Sequence, residues 1–311
     1  MSAVNPTPSA DAASRHADAD GYYGRPIVRA HIWTDEIGWY FFTGGLAGAA
    51  SVLALAADAS GRPRLARHAR RASMLGLLPS PVLLIADLGR PSRFYNMLRV
   101  FKPTSPMSVG SWLLGVYAPA AVGAAALGEL GALPRLRRPL GVVAGVAGAA
   151  VATYTAVLVA DTATPAWYEA RRELPYLFAA SATASGAAAT NVVAAVSGPV
   201  STIATDLAAV GALTEIGVAK LMQHRLGDLD TYAADPAARR FDRLATALSV
   251  GGAVLSMVGR GRRWVTLASS LAIAFGSVCT RFAVLRAGTA SARDPRSVLR
   301  QQRSDREAVT S

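Results

Sequence analysis

The side chains best suited to chemistry in this chain are phenols, carboxyls and one guanidinium: Glu36, Tyr40, Asp87, Arg90 and Tyr154. A quinone headgroup needs hydrogen-bond partners at its two carbonyls, proton carriers when it is reduced or oxidised, and an apolar slot for ring and tail. Phenols, carboxyls and a guanidinium supply the first two needs. Asp87 and Arg90 open the most polar stretch between oily segments, residues 87–106: Asp87-Leu-Gly-Arg90-Pro-Ser-Arg93-Phe-Tyr-Asn96-Met-Leu-Arg-Val-Phe-Lys102-Pro-Thr-Ser-Pro106. It holds four cations, one carboxylate, one amide and three prolines. In a membrane, charged non-helical backbone is tolerated chiefly where protein or a watery cavity covers it. The stretch is therefore expected to bind a ligand or a partner, with Arg93, Asn96 and Lys102 as docking candidates. An ion pair closing the turn is the plainer use of Asp87 and Arg90. For Trp33, Trp39 and Trp112 an interfacial aromatic belt is the plainer reading.

Two further carboxyls, Asp206 and Glu215, fall inside one apolar segment. Intramembrane carboxylates are costly and are functional candidates by default, here as a possible proton route. Nine residues apart is about 900° of helix, which puts them on opposite faces. Each would then meet a different helix, and pairing with a neighbouring threonine or an arginine is as plausible a use. Metal chemistry finds little support. Membrane haems usually take paired axial histidines, and His16, His31, His68 and His224 all fall in the tail or at helix margins. One cysteine, Cys279, cannot ligate an iron–sulfur cluster alone. Neither a haem nor a cluster is expected in this chain, nor a metal site.

Something must position these residues, and the composition says what. The 311 residues are 52% apolar and only 17% charged, with a mean hydropathy of +0.30. A soluble domain would carry about a quarter charged residues. The charges cluster in connectors between long Ala/Val/Leu/Gly stretches, the pattern of a multi-pass helical membrane protein. The net charge of +12 therefore faces lipid headgroups rather than nucleic acid. Residues 1–24 hold no apolar run of the signal-peptide kind.

The fold expected is an all-α integral membrane bundle of about eight transmembrane helices. They fall at about 37–57, 72–88, 108–127, 139–160, 175–196, 200–222, 243–258 and 264–286, each near the ~20 residues that cross a bilayer. This divides the chain into a polar segment 1–36, a transmembrane domain 37–286 and a polar tail 287–311. Pro79 and Pro81 predict a kink in the second span. Ser197-Gly198-Pro199 predicts a tight turn between the fifth and sixth. The small-residue faces allow close helix packing.

Parity puts the start of span one, residues 87–106 and the end of span four on one face, here face A, with Asp161, Trp167, Arg171 and Arg172. Tyr154 lies about 9 Å inside it. Face B carries short arginine-rich connectors: Arg62, Arg64, Arg67, Arg70 and Arg71; Arg135, Arg137 and Arg138; Arg260, Arg262 and Arg263. Short-loop arginines mark the cytoplasm. Both termini are thus expected on the extracytoplasmic side of the plasma membrane.

Several stretches resemble the NrfD/polysulfide reductase membrane-subunit family. They are Tyr22-Tyr23-Gly24-Arg-Pro26, Gly44-Gly45-Leu-Ala-Gly48, Asp87-Leu-Gly-Arg-Pro91-Ser-Arg-Phe94 with Asn96-Met-Leu, Ser105-Pro106-Met-Ser-Val-Gly-Ser-Trp112, and Tyr154-Thr155 with Pro165 and Trp167. The resemblance implies an eight-helix subunit without haem. Such subunits anchor a ferredoxin-like iron–sulfur subunit and, through it, a molybdenum or tungsten pterin catalytic subunit. They exchange electrons with the quinone pool, menaquinone above all, near the iron–sulfur partner. The family's span-four tyrosine falls on Tyr154, and its Asp-Leu-Gly-Arg-Pro segment on Asp87 to Pro91, beside site and partner. One departure stands out: Tyr40 occupies the place of a quinone-ligating histidine found in some members, with Glu36 or Ile37 near an asparagine's place. The complex first expected is a formate dehydrogenase or a polysulfide reductase-like enzyme, and no catalysis is expected from the isolated chain. The alternative is a transporter or proton-conducting protein using Asp206 and Glu215.

Overall fold

The structure is a computed structural model that describes residues 35–87, 94–227 and 231–293. Every regular element among the described residues is helical. In chain order the helices are α1 (Asp35–Ala59), α2 (Pro63–Leu77), α3 (Pro79–Asp87), α4 (Phe94–Arg99), α5 (Pro106–Leu130) and α6 (Pro134–Ala160). After a short α7 (Pro165–Glu169) and a single 3-10 turn come α8 (Leu174–Ser197), α9 (Thr202–Leu226), α10 (Thr231–Ala234), α11 (Pro236–Val258) and α12 (Arg263–Arg293). Seven of them, α1, α5, α6, α8, α9, α11 and α12, are long and apolar enough to cross a membrane. The expected second span is two helices in series. Pro79 lacks an N–H, so the helix of Pro63–Leu77 cannot run on unbroken, and α3 restarts at Pro79.

The bundle is built around two helices. In α1 and α8, 72% and 78% of the apolar window is buried, against 28% in α5 and α11. α1 packs chiefly on α2, α6 and α8, and α8 packs on α9, α1 and α12. The α5–α6 and α11–α12 hairpins flank this pair. Such central helices are possible because their faces carry almost no side chain. Gly48 of α1 meets the Gly148 backbone of α6 so closely that a Cβ on Gly48 would overlap the Gly148 carbonyl oxygen. In lipid, helix association depends on such packing and on interhelical hydrogen bonds. Both appear on α1. Its Ser51 hydroxyl lies 2.9 Å from Ser73 of α2 and 2.9 Å from the Tyr117 hydroxyl of α5. On face B, Asp58 takes hydrogen bonds from Arg70 (2.7 Å) and Arg137 (3.4 Å), and Arg71 grips Glu129 with two nitrogens at 2.8 and 2.5 Å.

Two helices are longer than the sequence suggests. α11 begins at Pro236 rather than near Arg243. Asp235 caps it by accepting from the Ala238 backbone N–H at 2.7 Å, and Pro236 suits the first helical position. α12 runs through Arg293 rather than ending at Arg286, so residues 287–293 are packed helix and not tail. Ala287, Gly288, Ser291 and Ala292 are buried there. The Trp167 indole N–H donates to the Val284 carbonyl at 2.8 Å, and the Ala166 N–H donates to Ser291 Oγ at 3.3 Å. The apolar count had nothing to register, because this extension rests on α7 and not on lipid.

Candidate functional site

The hydroxyls of Tyr40 and Tyr154 touch, in direct hydrogen-bonding contact. They come from α1 and α6, 114 residues apart in sequence. Tyr40 is 1% exposed, while the half-buried Tyr154 reaches a cleft. That cleft holds about 560 Å³ and opens at face A between α5, α6 and α7. Its walls are mostly apolar: Pro103, Pro106, Val109, Val157 and Ala160. Its polar groups are Tyr154, Thr104, Asp161, Tyr168 and Arg171. Ligand sites typically run to roughly 300–1,000 Å³ with an apolar lining and a few converging polar groups, and this cleft matches both features.

Local sequence explains the geometry. Gly110 of α5 lies beneath the Tyr154 ring, where a Cβ would overlap the ring carbons. The glycine therefore sets how far the phenol can lean toward α5 and away from the cleft wall. Pro106 begins α5 where an N–H would have no helical partner. The Ser108 hydroxyl ties that entry down, accepting from the Lys102 N–H at 3.0 Å and donating to the Val100 carbonyl at 3.1 Å. Arg171 lies over the Tyr168 ring, 4.2 Å from its centroid, and donates to the Tyr168 carbonyl at 2.9 Å. This fixes a cation at the cleft's edge.

The other sequence candidates divide. Glu36 is exposed in the first turn of α1, one turn before Tyr40. Asp87 ends α3, and nothing of its side chain is described. Arg90 and Arg93 lie outside the described residues, as does Trp33. Asn96 on α4 and Lys102 in the following turn are exposed on face A. Trp39 and Trp112 are 42% and 40% exposed, as belt residues are. Asp206 and Glu215 do lie on different faces of α9. Asp206 is exposed near face B and pairs with Arg260 of the α11–α12 turn. Glu215 is 1% exposed and accepts from Ser277 of α12 at 2.9 Å. They share no partner.

Sequence reasoning passed over two features. Tyr168 lines the cleft, and its place one residue after Trp167 was the signal available. Arg281 is fully buried in α12, 3.8 Å from the Phe178 ring centroid, and donates to the Phe178 carbonyl at 3.0 Å.

A comparison with curated proteins gives no match. A family model, described as polysulphide reductase, NrfD, matches residues 29–229. That range contains α1 to α9 and every described residue of the cleft. Members are membrane subunits that associate with iron–sulfur and molybdoenzyme subunits in polysulfide reductase-like complexes. The match covers well over half of a chain whose helices form the expected bundle, so this protein belongs to the NrfD polysulphide reductase family.

Proposed function

We propose that this chain is the quinone-reactive membrane anchor of a molybdenum- or tungsten-dependent oxidoreductase. It passes electrons between an iron–sulfur subunit seated on face A and the menaquinone pool. The observation that supports this most is the Tyr40–Tyr154 hydroxyl pair at the wall of an apolar cleft open to face A. A quinone bound there would accept two electrons and two protons to become the quinol. The chain's own part is to hold the ring oxygen and supply a proton. Tyr154 donates its proton to that oxygen, the Tyr40 hydroxyl steadies the phenolate left behind, and water from the open cleft reprotonates Tyr154 and supplies the second proton. Val109, Val157 and Pro106 offer the ring an apolar slot, and Arg171 sets a positive charge at the mouth where an anionic oxygen would develop.

Within this reading face B is cytoplasmic, and face A with both termini is outside the plasma membrane. Asn96 and Lys102 then present an exposed polar edge to the iron–sulfur subunit. A formate dehydrogenase is the first catalytic partner to look for.

The test is turnover of menaquinone analogues by the complex purified with its partner subunits. Tyr154→Phe keeps the ring on Gly110 and removes one charge-developing hydrogen bond. Turnover should fall about tenfold, equivalent to about 1.4 kcal/mol, with all subunits still bound. Unchanged turnover in an intact complex would sink the quinone site and leave a purely structural anchor.

A further inference from the structure

The Glu215 carboxylate and the Arg281 guanidinium lie deep in the bundle, near enough for their charges to interact, yet they make no direct ion pair. Each is left partly unsatisfied. Glu215 Oε2 accepts from Ser277, while Oε1 has no hydrogen-bond partner. Arg281 uses Nη2 on the Phe178 carbonyl, while Nε and Nη1 have none. The Ser181 and Thr280 hydroxyls stand beside the same carboxylate, near enough to serve as partners for it. Buried polar atoms almost always find a partner, in protein or in ordered water. Glu215 Oε1 and two Arg281 nitrogens without such a partner, buried in one region of the bundle, point to a hydrated site.

Room for water lies beside it. A small cavity is lined by Glu215, Ala219, Thr246 and Thr280 and, nearer face A, by Gln223 and Asp242. Glu215 and Gln223 are eight residues apart on α9, a rise of about 12 Å. The cavity holds about 20 Å³ of space for water centres, and one water needs roughly 10–15 Å³. Its outer end is polar: Gln223 donates to Asp242 at 2.6 Å, and Lys220 reaches both Asp242 (2.8 Å) and Gln223 (2.9 Å). That rim belongs to face A. Toward face B the packing is mostly apolar, with the Ser249 hydroxyl and the Asn191 amide buried within it. Ala184, Ala188, Ala204, Ala208, Ala212 and Ile273 form a buried apolar cluster, and Gly211 lies against the Ala184 and Ala180 backbone.

We infer that Glu215 is an internal proton-exchange site, hydrated through this cavity and open to face A only, with Arg281 as its counter-charge. The proton comes from a cavity water, the Glu215 carboxylate oxygen accepts it, and it leaves by the same path. Nothing is oxidised or reduced. The inference does not depend on the quinone reading, since it uses neither Tyr40, Tyr154 nor their cleft.

The test is infrared spectroscopy of the full chain in lipid nanodiscs during exchange from H2O into D2O. The Glu215 band is the one lost in Glu215→Gln. Ser277→Ala, which perturbs the same band by removing one hydroxyl, makes the assignment if Glu215→Gln does not fold. In the parent protein the band should shift within minutes. Filling the cavity with Ala219→Leu, or from another helix with Thr246→Leu, should slow that shift about tenfold or more, because exchange would then wait for local opening. Ala208→Val, inside the apolar cluster toward face B, should leave the rate unchanged. A band that stays unshifted for hours would make the pair dry and structural. Equal slowing by Ala208→Val and the cavity fillers would overturn one-sided access.

Discussion

Tyr154 is held as much by what lies under its ring as by what its hydroxyl touches. Gly110 leaves space for the ring, so Gly110→Ala forces the ring or α5 to move. We expect this variant to cost about 1–3 kcal/mol of stability, as overpacking does. It should also weaken menaquinone-analogue turnover with the tyrosine still present. Thermal melting and turnover on one preparation check both. Asp206 should behave oppositely. It is half exposed and paired with Arg260 at the rim, where an ion pair is worth about 0–1 kcal/mol. Asp206→Asn should leave quinone turnover within about twofold and leave Glu215 exchange unaltered. At this scale the sequence was legible where residue type is rare for its surroundings. A tyrosine amid small residues and a carboxylate in an apolar span stand out on sight. Arg281 did not, because an arginine near the end of the last apolar stretch looks like one that snorkels to the headgroups. The packing of α8, through Phe178, and of α1, at Gly45, is what makes it internal.

The helices themselves were legible through their length and hydropathy, since a crossing needs about 20 apolar residues whatever surrounds it. Their ends were less so. The start of α11 depends on an Asp235 cap, and the end of α12 depends on Trp167 from a distant segment. Neither leaves a hydropathy signal. Which helices are central was also hidden, because lipid-facing and protein-facing walls are equally apolar in such a bundle. Glycine is the better marker. Gly48 of α1 and Gly148 of α6 meet backbone to backbone. Gly48→Leu should therefore separate α1 from α6 and lower the melting temperature of the solubilised chain well below that of the parent. Gly217→Leu, where a Cβ meets nothing within 4 Å, should not.

Across the whole molecule, the Tyr154 cleft and the cavity beside Glu215 both lie toward face A. Under the two proposals above, protons taken up at either site come from the side on which the iron–sulfur subunit sits. Liposomes holding the chain should show no proton flux that depends on Glu215. A flux abolished by Glu215→Gln would reverse that conclusion. Orientation is checked separately. With Cys279→Ser as background, Ser60→Cys in the α1–α2 turn should be shielded from a charged thiol reagent outside intact cells. Thr104→Cys, at the mouth of the cleft, should be labelled unless the partner covers it, and deleting the partner should then expose it.

The central position of α1 has a consequence in time. It leaves the ribosome before the other described helices, yet the surfaces that enclose it are made much later. Phe282 of α12 closes on Gly38, and Ala49 and Ala50 of α1 wait for Gly186 of α8. Until synthesis passes those positions, the most enclosed part of the finished bundle lies bare in lipid. Its glycine and alanine faces offer the membrane nothing to hold and little to clash with. The core of the described bundle is therefore a template laid down early, on which each later hairpin registers, and α12 completes it by bringing Arg281 to the neighbourhood of Glu215.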